Sequence, residues 1–169
     1  MKLFLSCLLL CLLGTTPLAS AATPGEVPIG GTLRPAPMQG LAGPSRELSE
    51  FRGKPLIINV WASWCGPCRA EMGSLERLAQ RGGNKFTVIG ISTDDYRDKA
   101  MAFLQQYKTS FSHFIDTRLF LENMLGADRL PLTLLVDARG RVLAKHYGAK
   151  EWDSPEALQA VEKAFRIRL

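Results

Sequence analysis

Leu56-Ile57-Ile58-Asn59-Val60-Trp61 is an apolar, β-branched run of strand length that leads through Ala62-Ser63-Trp64 into Cys65-Gly66-Pro67-Cys68. Such a run reads as a strand buried on both faces. Beyond the cysteines, Met72, Leu75 and Ala79 recur at helical spacing. The chain must therefore turn from strand to helix with both cysteines at the joint. A cysteine in the first turn of a helix sits among unpaired backbone N–H groups at the positive end of the helix dipole. Both effects favour thiolate over thiol, which makes Cys65 the expected nucleophile. Cys68, one turn later, can close a disulfide with it and is expected to lie deeper, as the resolving cysteine.

The N-terminus bears on the compartment in which such a pair would work. Met1-Lys2 carries one positive charge, Leu3 to Leu13 is an almost unbroken apolar run, and Gly14-Thr15-Thr16-Pro17 breaks it. Ala19-Ser20-Ala21 then supplies the small-x-small pattern of a signal-peptidase site. The run is shorter than the ~20 residues that span a bilayer. Leu10 precedes Cys11 and Cys7 comes early, which does not fit a lipid-attachment cysteine. Residues 1–21 are expected to be a signal peptide, cut near Ala21 or Ala22, that delivers the chain to the periplasm. The mature chain would keep two cysteines, both in the motif, in an oxidising compartment.

A bare C-x-x-C can also be half of a structural zinc site. Here the partners are missing: Cys7 and Cys11 fall in the expected signal peptide, and His113 and His146 lack ligand spacing. No metal and no cofactor is expected. Met72, Met101 and Met124 sit on helical faces and read as core rather than as a copper-binding cluster. With 169 residues, 46% hydrophobic and 22% charged, the chain suffices for one globular domain. Its formal net charge of +5 is spread along the chain without a basic-aromatic pattern, which argues against a nucleic-acid partner.

The string Val60-Trp61-Ala62-Ser63-Trp64-Cys65-Gly66-Pro67-Cys68-Arg69 closely resembles the thioredoxin superfamily. With the export features it resembles the TlpA/ResA/DsbE-like branch of extracytoplasmic thiol-disulfide oxidoreductases, over most of the mature chain. Ser45 to Pro55 is similar to that family's approach to its first core strand. The resemblance implies an α/β, thioredoxin-like fold: a mixed central sheet with helices on both faces and an N-terminal extension. It also implies that Pro131, in Leu130-Pro131-Leu132-Thr133, is the cis-proline facing the disulfide. Read alone, those residues fit an ordinary proline at the first position of a strand. A proline there removes a backbone donor and leaves its neighbours free to pair with an extended client. Trp64, Gly66, Pro67, Leu130 and Pro131 form the expected substrate-binding set, and Leu132 is expected to add to the apolar rim. Three positions need separate mention. Asn59 stands where cytoplasmic thioredoxins carry a buried acid, as is frequent in the TlpA-like branch. Gly73 replaces a helix-kinking proline, and Arg129 replaces a glycine two residues before the cis-proline.

The mature chain divides into a flexible leader, residues 22–31, and a thioredoxin-like domain, residues 32–169. Thr32 to Met38 holds Pro35 and Pro37 and reads as an irregular edge strand. Phe86 to Ser92 is the next core strand after the cysteine helix, joined to the first in a parallel βαβ unit. Asp94-Asp95 is expected to cap a helix whose apolar face is Met101, Leu104 and Tyr107. That helix and Phe111 to Asp116 match the insertion TlpA-like proteins carry between core strands. Leu119 to Leu125 reads as a short helix closed by Gly126. Asp137-Ala138-Arg139-Gly140 reads as a hairpin turn between Leu132–Val136 and Arg141–Tyr147. Ser154-Pro155 opens the last helix, with Leu158, Val161 and Phe165 as its stripe. His113 and His146 are expected as packing or surface side chains, and Glu71 as a helix-surface charge rather than a participant in proton transfer.

The expected function is a periplasmic thiol-disulfide oxidoreductase that reduces client protein disulfides through Cys65 and Cys68. By resemblance its disulfide is re-reduced by a membrane electron donor of the DsbD/CcdA type. The clients implied are apocytochrome c or copper-site assembly proteins. Two rivals are a DsbA-like oxidant, and a metallochaperone holding Cu(I) through both thiolates. The first lacks its usual helical insertion and intervening histidine, the second a third soft ligand.

Overall fold

A computed structural model describes residues 23–169; the expected signal peptide lies outside the described residues. Seven strands form one mixed sheet in the order β2-β1-β5-β4-β3-β6-β7. The strands are β1 (Pro37–Gly40), β2 (Arg46–Glu47), β3 (Leu56–Trp61), β4 (Thr87–Ser92), β5 (Ser112–Ile115), β6 (Leu132–Val136) and β7 (Val142–Tyr147). The helices are α1 (Gly66–Gly82), α2 (Arg97–Tyr107), α3 (Phe120–Leu125) and α4 (Pro155–Phe165). β3, β4 and β5 are parallel, while β6 lies antiparallel against β3.

β3 is central and every residue in it is buried, so its alternation sorts the core into two layers. Leu56, Ile58 and Val60 pack with Leu121, Met124 and Leu125 of α3. Ile57 packs with α1 and α4, and Trp61 with α1 and α2. Asn59 projects to the same side as Ile57 and Trp61, under α1. Helices therefore cover both faces. α1 runs 17 residues without a proline in its interior, and Ser154 Oγ caps α4 by accepting from Ala157 N–H at 3.3 Å.

Three segments differ from their sequence expectation. The strand in the first segment begins only at Pro37, and β1 is not an edge: it lies between β2 and β5. The Pro/Gly-rich stretch before residue 32, expected as a flexible leader, is pinned from Thr23 onward. Val27 is buried and donates to Met124 O, Gly30 N–H donates to Val142 O, and Glu26 pairs with Lys145. α2 is capped by no side chain, its N-cap being Tyr96. Its fully buried residues are Ala100 and Phe103, with Met101, Leu104 and Tyr107 only partly buried against the same cluster. Asp94 is used elsewhere, as described below. Among the described residues no helix is long and apolar enough to cross a membrane.

Candidate active site

Cys65 is the N-cap of α1, and its Sγ accepts from Cys68 N–H at 3.2 Å. Pro67 within that first turn has no N–H to offer. The Cys65–Cys68 disulfide is closed, with Cα atoms 5.3 Å apart. The two sulfurs are not equivalent. Cys65 lines an open groove of about 580 Å³, whereas Cys68 is fully buried.

The same groove brings together Trp64, Gly66, Pro67 and Leu130. Trp64 is 68% exposed, an unusual position for so large an apolar ring. The Leu130–Pro131 bond is cis. Pro131, expected in the substrate-binding set, is buried and does not line the groove; its carbonyl accepts from Gly148 N–H at 2.8 Å. Leu132 contributes nothing to the rim, against expectation: it is wholly buried in β6 and packs in the α3 layer. Asp95, Glu122 and Asp128 add three carboxylates to the lining. Burial, then the neighbouring Asp116, raises the Glu122 carboxyl above its ordinary range.

The corner carrying Trp64 and Cys65 is held by Asp94. Its buried carboxylate accepts from Ser63 N–H at 2.9 Å, Ser63 Oγ at 2.6 Å and Ser92 Oγ at 2.7 Å. A charge that sequence reading assigns to a helix cap thus ties the end of β4 to the β3–α1 turn.

Glu71 overturns its expectation as a surface charge: it is 1% exposed. It lies three residues beyond Cys68, on the α1 face that also buries Met72, Leu75 and Leu78. Its Oε1 accepts from Asn59 Nδ2 at 2.7 Å; its Oε2 accepts from Trp152 Nε1 at 3.0 Å and Lys150 N–H at 3.1 Å. Three donors stabilise the carboxylate, yet removal from water outweighs them and pushes its pKa up to about 7. Trp152 and Lys150 belong to the loop between β7 and α4, which closes over Glu71 and excludes solvent. Sequence reading missed both the loop's role and Trp152. The available signal was spacing: positions 68, 71, 75 and 78 form one helical stripe, and Glu71 is its sole charge.

A second polar centre lies on the same face. Trp61 Nε1 donates to His113 Nδ1 at 3.2 Å, and His113 Nε2 is 2.8 Å from Thr109 Oγ1. Because Nδ1 accepts, Nε2 carries the proton. Burial pushes the His113 pKa down to about 3, so it is neutral throughout the physiological range. The bond crosses Gly90, where an added Cβ would come within 2.2 Å of His113 Nδ1. His113 is therefore a packing residue, and His146 is half-buried at β7 with its ring edge-on to Trp152. Among the described residues no cluster of His, Cys, Asp and Glu could hold a metal ion.

A family model described as Redoxin matches residues 35–161. The thiol:disulfide interchange protein DsbE of Vibrio cholerae is 35% identical over 126 residues, which is 73% of this chain and 67% of that protein. The thiol-disulfide oxidoreductase ResA of Halalkalibacterium halodurans is 30% identical over 112 residues, 66% of this chain and 64% of that one. The chain thus spans about two thirds of the length of these curated relatives. A solved structure from Chlorobium tepidum, assigned as DsbE, superposes with a TM-score of 0.75 at 26% identity, covering 82% of this chain and 99% of that one. Sequence, fold and the disulfide at a strand-to-helix joint agree: the chain belongs to the Redoxin family, among the thioredoxin-fold thiol-disulfide oxidoreductases of the DsbE and ResA type.

Proposed function

We propose that this protein reduces disulfides of client proteins outside the cytoplasm, with Cys65 as nucleophile, Cys68 as resolving thiol and Glu71 as proton acceptor. The observation that carries the reading is the asymmetry of the pair. One sulfur opens onto a groove at a helix N-terminus, and the other is buried one turn before a carboxyl group whose pKa is about 7.

In the reduced protein, Cys65 thiolate is stabilised by the N-terminal amides of α1 and the helix dipole. It attacks one sulfur of the client disulfide, forming a Cys65–client disulfide and releasing a client thiolate, which takes a proton from solvent. Cys68 must then become a thiolate without water to receive its proton. Glu71 takes that proton, and a group whose pKa lies near ambient pH can accept and release it in each cycle. Cys68 attacks Cys65 Sγ, the second client thiolate leaves, and the Cys65–Cys68 disulfide remains. Two electrons have passed from the protein to the client.

The exposed Trp64 and the half-buried Leu130 suit an extended client segment laid along the groove, as in strand addition. The carboxylates of Asp95, Glu122 and Asp128 favour a segment that carries lysine or arginine near its cysteine. Re-reduction by a membrane donor of the DsbD/CcdA type, with apocytochrome c or copper-site assembly proteins as clients, is the part of this reading that the resemblance to the TlpA/ResA/DsbE-like branch implies.

Two measurements test this. Cys68→Ser accumulates mixed disulfides with clients through Cys65, and Cys65→Ser does not. The midpoint potential, from equilibration with dithiothreitol or glutathione buffers, lies nearer about −270 mV than about −120 mV, since Gly66-Pro67 adds no donor or charge to the thiolate. A midpoint above about −160 mV would make the protein an oxidant instead.

A further inference from the structure

We infer that the Asn59 side-chain amide turns over when Glu71 takes up its proton, presenting nitrogen to the carboxylate and oxygen to the acid, so that Asn59 is the positioning residue of the proton acceptor. The inference rests on the proposed role of Glu71 and adds the part that lets a sealed carboxyl group be comfortable in both of its states.

The argument is one of donors and acceptors. Asn59 Nδ2 spends one hydrogen on Glu71 Oε1 at 2.7 Å and the other on Thr133 Oγ1 at 3.0 Å. Every other partner of the Glu71 carboxylate is also a donor: Trp152 Nε1 and Lys150 N–H. This arrangement is complementary to the anion alone. A proton on Oε1 would point at the Asn59 amino group and find no acceptor. Among the described residues, one buried side-chain polar atom has no partner, and it is Asn59 Oδ1. Rotating the amide by half a turn puts that oxygen where Nδ2 now sits, because the two ends of the group are nearly the same size. Oδ1 then accepts from the Glu71 acid and from the Thr133 hydroxyl, using both lone pairs. Nδ2 becomes the one unpartnered atom. Each orientation leaves a single unsatisfied group, so neither is favoured until the proton decides.

The surroundings permit such a device. On β4 the residue opposite Asn59 is Gly90, and on β6 it is Thr133. Other titratable groups near Glu71 come from β7 and its following loop. His146 sits edge-on to Trp152 and opposite Thr133, and the Lys150 ammonium lies over the Trp152 ring, 5.9 Å from its centroid. His146 is held below its ordinary pKa by burial and then by Lys150. Neither group donates a side-chain hydrogen bond to the carboxylate, leaving Asn59 as the partner that can answer to the proton.

The test is NMR on the full chain in its reduced form from pH 5 to pH 9, following the Glu71 carboxyl carbon and the Asn59 side-chain amide together. The amide protons should show contacts with Thr133 above the Glu71 midpoint and lose them below it, with one shared midpoint. In Glu71→Gln, whose amide mimics the acid, Asn59 should hold the low-pH pattern even at pH 9. An Asn59 amide that keeps its Thr133 contacts while Glu71 titrates, or that shows the high-pH pattern in Glu71→Gln, overturns the inference and leaves the role of Glu71 standing. A Glu71 carboxyl that does not titrate in this range overturns both. Asn59→Asp adds a kinetic arm, since two carboxyl groups at this distance share a proton. Resolution of a Cys65 mixed disulfide should slow at least about tenfold at pH 7 and recover as pH rises. A slowing that is the same at every pH would also overturn the inference, because it would mark Asn59 as scaffold only.

Discussion

Two buried polar centres share one face of the sheet, and they are built on opposite principles. In the row across β5, β4, β3, β6 and β7 stand His113, Gly90, Asn59, Thr133 and His146. At the β5 end, Trp61 and His113 match one donor to one acceptor, and the spare ring nitrogen meets Thr109. Nothing is left over, and burial holds the imidazole neutral. At the centre, Asn59, Trp152 and Lys150 all donate to Glu71, and an acceptor is left over. Both centres exclude water, so the difference lies in matching: a closed donor–acceptor set fixes packing, whereas a one-sided set around an ionisable group leaves a proton site poised near neutrality.

The largest effect separating the two should come from Glu71→Gln. A general base of this kind contributes about 10²- to 10⁴-fold. Resolution of the Cys65–client disulfide should slow by that order at pH 7, while first attack by Cys65 is nearly unchanged. Stopped-flow mixing with a model disulfide resolves the two steps. A slowing of less than about threefold would remove Glu71 from the chemistry. The contrasting variant is His113→Phe, which leaves Trp61 Nε1 buried without an acceptor. It should cost about 1–3 kcal/mol in denaturant unfolding and alter neither step appreciably. Equal slowing by His113→Phe would erase the distinction between the centres.

Much of the scaffold was readable from local pattern. The β3 run, the C-x-x-C at a helix start, the Asp137–Gly140 turn and the Ser154-Pro155 cap all depend on neighbours within a few residues. In the turn, Asp137 Oδ1 accepts from Arg139 and Arg141 N–H, and Gly140 takes φ of 85°. The groove side of the site was legible for the same reason, since Trp64 to Cys68 is one short segment. The proton site was not. Whether Glu71 is solvated is decided by Lys150 and Trp152, some eighty positions away, and a lone glutamate on a helix is ordinarily exposed. Asp94 misled likewise: its partners Ser63 and Ser92 meet only once β3 and β4 pair. Leu132, read as rim, is the first residue of β6 and is drawn into the buried layer under α3, a placement set by packing across the sheet rather than by its neighbours in sequence.

The smallest effect concerns pH and stability, and here the two centres should hide one another. His113 has a folded pKa of about 3 against an ordinary value of 6.5. Below 6.5 the unfolded chain takes the proton and the native state does not, so stability is lost as pH falls from 6.5 toward 3. Glu71 has a folded pKa of about 7 against 4.5. Between these values the native state holds the extra proton, so its contribution is full below 4.5 and is lost as pH rises through 7. From pH 4.5 to 6.5 the two slopes are equal and opposite, each about 1 kcal/mol per pH unit. Measured as differences from wild type, so that all other groups drop out, the variants should uncover one slope each. Glu71→Gln should become relatively less stable as pH falls across that window, and His113→Phe relatively more stable. Urea titrations at pH 4.5, 5.5 and 6.5 would show the two difference curves crossing with opposite sign. Two flat curves would mean that neither group is as dry as its burial indicates, and with that the comparison between a matched and a one-sided centre would fail.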